Sequence, residues 1–259
     1  MRNDGTVVTN QAIHRLPQVV EIYHDMARDG LSVPEQYCLN LVPVERRDSI
    51  LDIGVGGGRT TGPLLEMFGN YIGIDYSEKM VAAAKLLHPQ ADLRVMDARK
   101  LEFNKLFDCV MFSFNGIDCI DYADRQLVFR QIAGVLRPGG YFLYSTHNLQ
   151  NARTSVWLNH IFVKELFKAW PRPRTTFRRL FNRMKTFWRQ SGGPSQSFAY
   201  INDGAADFRF LYTYVDIPAE IETLQRNRFE VLATIGNTKQ KAGYGPEDSW
   251  VYFLARLIR

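Results

Sequence analysis

Cysteine is scarce in this chain, and its three residues (Cys38, Cys109 and Cys119) are scattered and odd in number. A disulfide framework needs cysteines in pairs, and a structural metal site needs ligands at short, fixed spacings. The five histidines are equally dispersed, and no two of them stand at a ligand spacing. The sequence therefore predicts reduced thiols, no disulfide framework and no bound metal.

Long hydrophobic runs are also missing. No apolar stretch approaches the roughly twenty residues that a membrane-spanning helix requires. The first residues, Met1 to Gly5, do not begin the apolar stretch of a signal peptide. From these observations we expect a cytoplasmic protein without a transmembrane segment, with residues 1–259 forming one α/β domain.

Charge of one sign is concentrated in a single segment, although the net charge of the whole chain is a modest +5. Residues 164–189 contain nine lysines and arginines and one acid, Glu165. A concentrated patch matters more for binding than the charge of the whole chain. Four interpretations stay open: a solvated helical face, a site for an anionic small substrate, a nucleic-acid surface, or an amphipathic helix on a membrane surface.

A glycine cluster after a short apolar run is the most informative local pattern. Residues 49–58 read Ser-Ile-Leu-Asp-Ile-Gly-Val-Gly-Gly-Gly, and Arg59-Thr60-Thr61 can then open a helix. Glycines at this spacing allow a tight turn and let a ligand approach the main chain closely. The free N–H groups at the start of the helix favour an anionic ligand group. The pattern predicts a site for a nucleotide-type cofactor.

The glycine spacing separates two kinds of cofactor. In the dinucleotide fingerprint G-x-G-x-x-G, counted from Gly54, the third position is Arg59, which is a poor match. The spacing fits Asp-x-Gly-x-Gly-x-Gly instead, at Asp52, Gly54, Gly56 and Gly58. Asp75 ends the next apolar run, where a carboxylate can accept hydrogen bonds from both ribose hydroxyls. An NAD-linked oxidoreductase is disfavoured and stays an alternative.

Strand-like and helix-like segments alternate along most of the chain. Strands are expected near residues 49–54, 71–75, 92–96, 107–113, 140–147, 229–235 and 249–258. Helices are expected near residues 59–68, 77–87 and 122–136, and from Ile217. This order predicts a doubly wound, mostly parallel sheet with helices on both faces.

Two segments fall outside the alternation. Residues 1–45, with prolines at 17, 34 and 43, predict a helical cover over the open side of the cofactor. Residues 149–213 predict a lid inserted between the fifth strand and the next helix. Its first part is basic and aromatic, and its second part predicts a hairpin with a turn at Asn202-Asp203-Gly204.

Taken in order, these features resemble the class I S-adenosylmethionine-dependent methyltransferases. The glycine loop, the acids Asp75 and Asp97, the Phe107-Asp108 strand and the Leu-Arg-Pro-Gly-Gly turn at 136–140 follow that family's order and spacing. The resemblance implies a Rossmann-like, seven-stranded sheet that is mostly parallel, with an antiparallel C-terminal strand. It also implies S-adenosylmethionine as the cofactor and S-adenosylhomocysteine as the product.

The resemblance further implies roles for the matching residues. The methionine moiety lies on the glycine loop, the ribose on Asp75, and adenine between Tyr76 and Met80, with Asp97 and Ala98 at its edge. The implied cofactor-binding residues are Asp52, Gly54, Gly56, Gly58, Asp75, Tyr76, Met80, Asp97, Ala98, Phe112 and Ser113. Two of them keep another interpretation, Asp97 as a turn or helix-cap residue and Met80 as core.

Methyl transfer is an in-line displacement, so catalysis depends mainly on positioning, with a proton acceptor where the nucleophile is an amine or hydroxyl. His147, just past the fifth strand, is the candidate base, or else a structural histidine. Asn115 is the candidate for orienting the acceptor, or else a turn former. Tyr200, Tyr212 and Tyr214 are candidate acceptor-pocket residues, or else hairpin core.

The sequence thus predicts methyl transfer to a nitrogen or oxygen atom of a small molecule, and an anionic acceptor is among the options. A nucleic-acid acceptor is disfavoured, because Ser113-Phe114-Asn115-Gly116 is not the Asn/Asp-Pro-Pro-aromatic element of DNA and RNA amino-methyltransferases. A non-catalytic cofactor-binding module that scaffolds a partner is the alternative from another functional class.

Overall fold

The computed structural model describes residues 10–14, 16–155, 196–202 and 210–258. The basic segment 164–189 and the predicted hairpin turn at 203–204 lie outside these ranges. The helices are α1 Asn10–His14, α2 Pro17–Met26, α3 Val33–Asn40, α4 Thr61–Met67, α5 Glu78–Leu87, α6 Tyr122–Val135, α7 Leu149–Ser155 and α8 Ile217–Arg226. The strands are β1 Ser49–Ile53, β2 Asn70–Asp75, β3 Leu93–Val95, β4 Phe107–Phe112, β5 Leu136–Asn148, β6 Phe198–Ile201, β7 Tyr212–Val215, β8 Phe229–Gly236 and β9 Trp250–Leu257.

One sheet joins all the described strands. Strands β3, β2, β1, β4 and β5 are parallel neighbours in that order. Strand β9 runs antiparallel to both β5 and β8. The predicted doubly wound, mostly parallel α/β arrangement is confirmed. The strand number differs from the expected seven, because β7 pairs with β5 at His147 and Asn148 and brings β6 with it, so the sheet has nine strands among the described residues.

Two apolar cores lie on the two faces of the sheet. In β4, Val110 and Phe112 belong to the core that includes Phe129 of α6, while Cys109 and Met111 belong to the other. Every residue of β4 is buried. A strand buried on both faces reads as a continuous apolar run, which is why this one was visible in the sequence.

The start of β5 differs from the expected boundary. The sequence pattern predicts a helix ending near 136 and a strand starting at 140, but β5 begins at Leu136 directly after α6. Leu136 pairs with Phe107, and the next pair is Tyr141 with Cys109, so residues 137–140 form an irregularity in the ladder. Pro138 lacks an N–H to donate, which suits this position.

The prolines of the N-terminal segment start helices. Pro17 and Pro34 occupy the first turns of α2 and α3, where a missing N–H costs nothing. Ser32 and Glu35 form a capping box at the start of α3. Helix α2 packs against α5, so this segment lies beside the glycine loop. Within the described ranges, no helix is long and apolar enough to cross a membrane.

Gly57 marks the place where α2 meets the glycine loop. A Cβ at this position would stand 2.4 Å from the carbonyl oxygen of Tyr23 and 3.0 Å from the backbone nitrogen of His24. Helix backbone cannot move aside in the way a flexible side chain can. The close approach of α2 therefore requires glycine at this position.

We expect Gly57→Ala to destabilise the fold by about 1–3 kcal/mol, because the added methyl group forces α2 away from the loop. Gly134→Ala is the matched control, since nothing lies within 4 Å of its Cβ position. In helix α6 that change should stabilise the protein by about 0.5–1 kcal/mol. Urea denaturation measures both, and a neutral Gly57 variant would show that α2 does not rest on the loop.

Candidate active site

The glycine loop, residues 54–58, leaves β1 and leads towards α4. Gly54, Gly56 and Gly58 have positive φ angles of 72°, 53° and 95°. Glycine adopts this left-handed region without the penalty that a Cβ imposes. The backbone nitrogens of Gly54 and Val55 donate to the carbonyl oxygen of Ile74, at 2.7 and 3.1 Å. The loop is thereby fixed to the end of β2.

Asp52 lies buried beneath this loop. Its carboxylate accepts hydrogen bonds from Thr60 Oγ1 at 2.6 Å and from Tyr71 OH at 3.0 Å. Burial raises the pKa of the carboxyl to about 6, against the opposing effect of these two hydroxyls. Asp52 therefore holds the start of α4 against the sheet, and supports the loop from behind.

Asp75, at the end of β2, faces the loop from the side. Its carboxylate accepts from the backbone nitrogens of Gly56, at 3.0 Å, and Ser77, at 2.8 Å. Burial raises the pKa of this carboxyl to about 6, although both hydrogen bonds lower it. A carboxylate has about four acceptor positions, so these two donors leave capacity for the two hydroxyls of a ribose. The residues present therefore fit an adenosyl cofactor.

Asp75→Asn is expected to weaken S-adenosylmethionine binding by about 1–3 kcal/mol, because the ribose donors lose their charged partner. In the unaltered protein, affinity should fall as pH drops through about 6, where the Asp75 carboxyl takes up a proton. Its folded pKa lies above the usual value, so this group makes the folded state more stable as pH falls. Protonation of Asp75 at low pH therefore does not unfold the protein, and the expected loss of affinity is not a consequence of unfolding.

Calorimetric titration at pH 5 to 8 measures the pH effect in both proteins. The Asp75→Asn variant should lose the pH dependence. Asp52 serves as the internal comparison, because its pKa is also raised to about 6. An unchanged slope in the variant would assign the titration to Asp52 and contradict the ribose role of Asp75.

The residues expected to flank adenine lie beside the N-terminal helices. Met80 is buried in an apolar cluster with Ile13 and Phe210. The hydroxyl of Tyr76 contacts Nδ1 of His14. Burial lowers the pKa of His14 to about 4, so its ring is neutral at physiological pH. The sequence analysis did not single out His14. It predicted only that residues 1–45, which include this histidine, form a helical cover.

Of the two residues expected at the adenine edge, Asp97 lies in a partly exposed turn, whereas Ala98 is buried in the core. The Asp97 carboxylate accepts from the backbone nitrogen of Arg99 at 2.9 Å and from its Nη2 at 2.7 Å. The hydrogen bonds from the Arg99 side chain lower the pKa of this carboxyl. The turn interpretation of Asp97 therefore describes its local bonding, while Ala98 packs into the core under the sheet.

Phe112 connects the glycine loop to the turn after β4. A Cβ on Gly54 would lie 3.1 Å from Cε2 of the Phe112 ring, and a Cβ on Gly116 would lie 2.5 Å from the same atom. One aromatic ring therefore separates the two loops. The predicted cofactor loop and the predicted acceptor end of β4 are direct neighbours.

Ser113 belongs to a buried ionic cluster that ties α3 to the loop. Its hydroxyl donates to Glu35, which forms an ion pair with Arg59 at 2.6 Å. Arg59 Nη2 also donates to Ser113 Oγ at 2.9 Å. Arg59, the residue that breaks the dinucleotide fingerprint, thus joins three elements of the site.

The turn after β4 has an unusual backbone. Phe114 and Asn115 have positive φ angles of 51° and 57°, which cost about 1–2 kcal/mol each for residues with a Cβ. The Asn115 nitrogen donates to Ser145 Oγ at 2.8 Å and holds the turn. Asn115 Nδ2 then lies 3.5 Å from Nε2 of His147. Among the described residues, Oδ1 of Asn115 has no hydrogen-bond partner.

His147 is held by Asp118, a residue the sequence patterns did not reveal. Asp118 Oδ2 accepts from Nδ1 and from the backbone nitrogen of His147, each at 2.7 Å. With the proton on Nδ1, Nε2 carries the lone pair, in the direction of Asn115. The contact with Asp118 therefore fixes the orientation of the ring, with Nε2 on the side of Asn115.

Aromatic rings surround this histidine. The ring centroids of Tyr214 and Tyr212 lie 4.5 and 5.1 Å from that of His147. Tyr200 is not brought to it: Tyr200 pairs with Thr213, so it faces the other side of the hairpin, since alternate residues of a strand point to opposite faces. The Tyr200 hydroxyl accepts instead from the backbone nitrogen of Tyr122 at 3.0 Å.

Known proteins share sequence similarity with part of this chain. Residues 50–140 match a family described as methyltransferase domain. The chain is 32% identical over 127 residues to the ubiquinone biosynthesis O-methyltransferase of Paramagnetospirillum magneticum. This alignment covers 47% of this chain and 48% of that protein. It is 28% identical over 154 residues to the malonyl-[acyl-carrier protein] O-methyltransferase of a Marinomonas species, with coverages of 57% and 52%. The chain thus spans about half the length of these curated relatives.

A solved structure shares the fold over nearly the whole chain. The S-adenosylmethionine-dependent methyltransferase from Clostridium acetobutylicum superimposes with a TM-score of 0.62 at 15% identity, covering 93% of this chain and 98% of that one. The matched family segment contains the glycine loop, Asp75 and Asn115. Residues 50–140 are thus similar to the methyltransferase-domain family, and nearly the whole chain has the fold of a solved S-adenosylmethionine-dependent methyltransferase.

Proposed function

We propose that this protein transfers a methyl group from S-adenosylmethionine to an oxygen or nitrogen atom of a small molecule, leaving S-adenosylhomocysteine. The observation that carries the proposal is the meeting of His147 and Asn115 at the carboxyl ends of β5 and β4, one aromatic ring away from the glycine loop. Ligands of open α/β sheets bind at this edge. The two curated relatives named above are O-methyltransferases, which favours oxygen.

When bound, the cofactor supplies an electrophilic methyl group on a positively charged sulfur. Asp75 and the backbone of Gly54, Gly56 and Gly58 would hold its adenosine and methionine parts. Asn115 orients the acceptor, because its Oδ1 has no hydrogen-bond partner in the described part of the chain and can accept from an incoming hydroxyl or amine. His147 takes the proton of that group on Nε2.

The flanking segments complete the site in this proposal. The described N-terminal helices cover the cofactor, supported by the close approach of α2 to Gly57. On the acceptor side, the support for the inserted segment comes from its described residues, in the packing of Tyr212 against His147. Tyr76, Met80, Asp97 and Ala98 are assigned to the adenine side on their position after β2 and β3.

A labelled-methyl assay tests the proposal. The protein is first titrated calorimetrically with S-adenosylmethionine and S-adenosylhomocysteine, for which we expect binding of both. It is then incubated with methyl-labelled S-adenosylmethionine and a metabolite extract, and the products are identified by mass spectrometry. Binding without any labelled small molecule would favour the non-catalytic module, and label in nucleic acid would favour that class of acceptor.

A further inference from the structure

His14, a buried histidine of α1, has no role in the function proposed above. It is 8% exposed. Its ring lies among three aromatic rings, with centroid distances of 4.6 Å to Phe210, 5.6 Å to Tyr76 and 5.7 Å to Tyr23. Burying a polar ring costs free energy unless its nitrogens find hydrogen-bond partners. The bonding of the two nitrogens therefore shows what this residue can do.

Nδ1 makes the hydrogen-bond contacts of His14 within the described residues. It lies 3.0 Å from the carbonyl oxygen of Asn10 and also contacts the hydroxyl of Tyr76. A carbonyl oxygen can only accept a hydrogen bond, so Nδ1 carries the proton and Nε2 carries the lone pair. Burial lowers the pKa of the ring to about 4, so this lone pair is available at neutral pH. His14 therefore offers a buried acceptor, Nε2, to which no residue in the described ranges donates.

Asn10 anchors α1, one helical turn before His14. Its Nδ2 donates to the carbonyl oxygens of Cys119 at 3.2 Å and of Leu211 at 2.7 Å, and its Oδ1 accepts from the backbone nitrogen of Leu211 at 3.2 Å. Cys119 lies in the segment after β4, and Leu211 precedes β7. One side chain thus ties α1 to two other parts of the fold, which fixes the position of His14.

The neighbours of His14 place it on the cofactor side of the site. Tyr76 follows Asp75, whose carboxylate is assigned to the ribose and accepts from the backbone nitrogen of Gly56 at 3.0 Å. Tyr23 covers the same glycine, because a Cβ on Gly56 would lie 3.4 Å from Cδ1 of the Tyr23 ring. The rings that contact His14 therefore border the glycine loop and the ribose position, so an adenosine bound there meets His14.

Adenosine brings hydrogen-bond donors of its own, the 6-amino group and the ribose hydroxyls. The carboxylate implied for the amino group is already engaged: Asp97 Oδ1 accepts from the backbone nitrogen of Arg99 at 2.9 Å, and Asp97 Oδ2 accepts from Nη2 of Arg99 at 2.7 Å. Resting on the proposed function, we propose that His14 is a further cofactor-binding residue, whose Nε2 accepts from the 6-amino group or from a ribose hydroxyl of the adenosine. The N-terminal helices then do more than cover the cofactor, because one of their side chains recognises it.

Calorimetric titration with S-adenosylhomocysteine measures this contact without turnover. In His14→Asn the side-chain amide can still donate near the position of Nδ1, but nothing replaces Nε2, so affinity should fall by about 3–10-fold, the loss of one hydrogen bond. His14→Gln carries its amide oxygen to about the reach of Nε2 and should restore most of the affinity. Gln36→Ala is the surface control, since Gln36 bonds to Asn40 on the exposed side of α3, and that variant should bind like wild type.

Ligand analogues identify the donor group. S-inosylhomocysteine has an oxygen in place of the 6-amino group, and the 2′-deoxy and 3′-deoxy forms of S-adenosylhomocysteine each lack one hydroxyl. Removing the group from which His14 accepts should weaken binding to wild-type protein, and should cost little more in His14→Asn. Losses that are additive for all of these analogues would overturn the inference.

A resonance measurement on wild-type protein does not depend on the folding of any variant. In ¹⁵N-histidine-labelled protein, Nε2 of His14 should move upfield when S-adenosylhomocysteine binds, because an unprotonated imidazole nitrogen does so on accepting a hydrogen bond. Bound ligand with an unchanged Nε2 resonance, or a His14→Asn protein with wild-type affinity, would also overturn the inference. Wild-type protein that binds no S-adenosylhomocysteine would refute the proposed function instead.

Discussion

Replacing His147 with alanine is expected to lower kcat by about 10²–10⁴-fold, the contribution typical of a positioned general base. The reason is that Nε2 of His147 faces Asn115, at 3.5 Å, beside the glycine loop. S-adenosylmethionine affinity should stay nearly unchanged, because the hydrogen bonds that position Asp75 come from Gly56 and Ser77 and do not involve this ring. Initial rates with the acceptor found in the labelled-methyl assay measure the effect, and calorimetry checks cofactor binding.

Tyr200→Phe is the control for the His147 variant. Tyr200 lies on the lid hairpin but faces away from His147, with its hydroxyl at the backbone nitrogen of Tyr122. The kcat of the Tyr200→Phe variant should remain within a factor of about three of wild type. The variant loses only the hydrogen bond from the backbone nitrogen of Tyr122, and a single hydrogen bond contributes about 0.5–1.5 kcal/mol, mainly to stability. A His147→Ala protein with wild-type kcat would place the proton acceptor elsewhere.

Arg125→Met is expected to destabilise the fold by about 3–5 kcal/mol, the cost of leaving buried charges without their partner. Arg125 is 1% exposed and is the cation shared by Asp118 and Glu220. Urea denaturation at pH 7 measures the loss. Arg226→Met on the surface of α8 is the control, because its side chain is 71% exposed, and it should change stability by no more than about 0.5 kcal/mol.

A double variant separates charge from packing in this cluster. Adding Glu220→Gln to Arg125→Met removes one of the two stranded carboxylates, so part of the lost stability should return. Residues that share an ion pair show such coupling energies, whereas independent sites add. If the two losses simply add, the destabilisation comes from the missing Arg125 side chain, and the electrostatic explanation is wrong.

The cofactor loop could be predicted because its signals are local. The backbone has positive φ at Gly54, Gly56 and Gly58, a conformation that favours glycine, so the glycine spacing in the sequence predicts the turn. Asp75 ends an apolar run at a recognisable distance. The order of strands follows from their alternation with helices, and β4 was visible because it is buried on both faces.

The partners of His147 could not be predicted, since they meet through the tertiary fold. Asp118 lies 29 residues before His147 in the chain, and Glu220 lies 95 residues after Arg125. In sequence, Arg125 resembles any surface arginine on a helix. The separation of Tyr200 from Tyr212 and Tyr214 depends on the pairing register of β6 and β7, which composition does not encode.

Glu35 links helix α3 to the glycine loop. The same carboxylate closes the first turn of α3, by accepting from the backbone nitrogen of Ser32 at 2.7 Å, and grips Arg59 at the end of the loop. Releasing Arg59 leaves the fully buried Glu35 carboxylate without its ion-pair partner, so opening of the loop and opening of α3 are energetically coupled. We therefore expect α3 and the glycine loop to unfold together, and a bound cofactor to slow the solvent exchange of the amides of both.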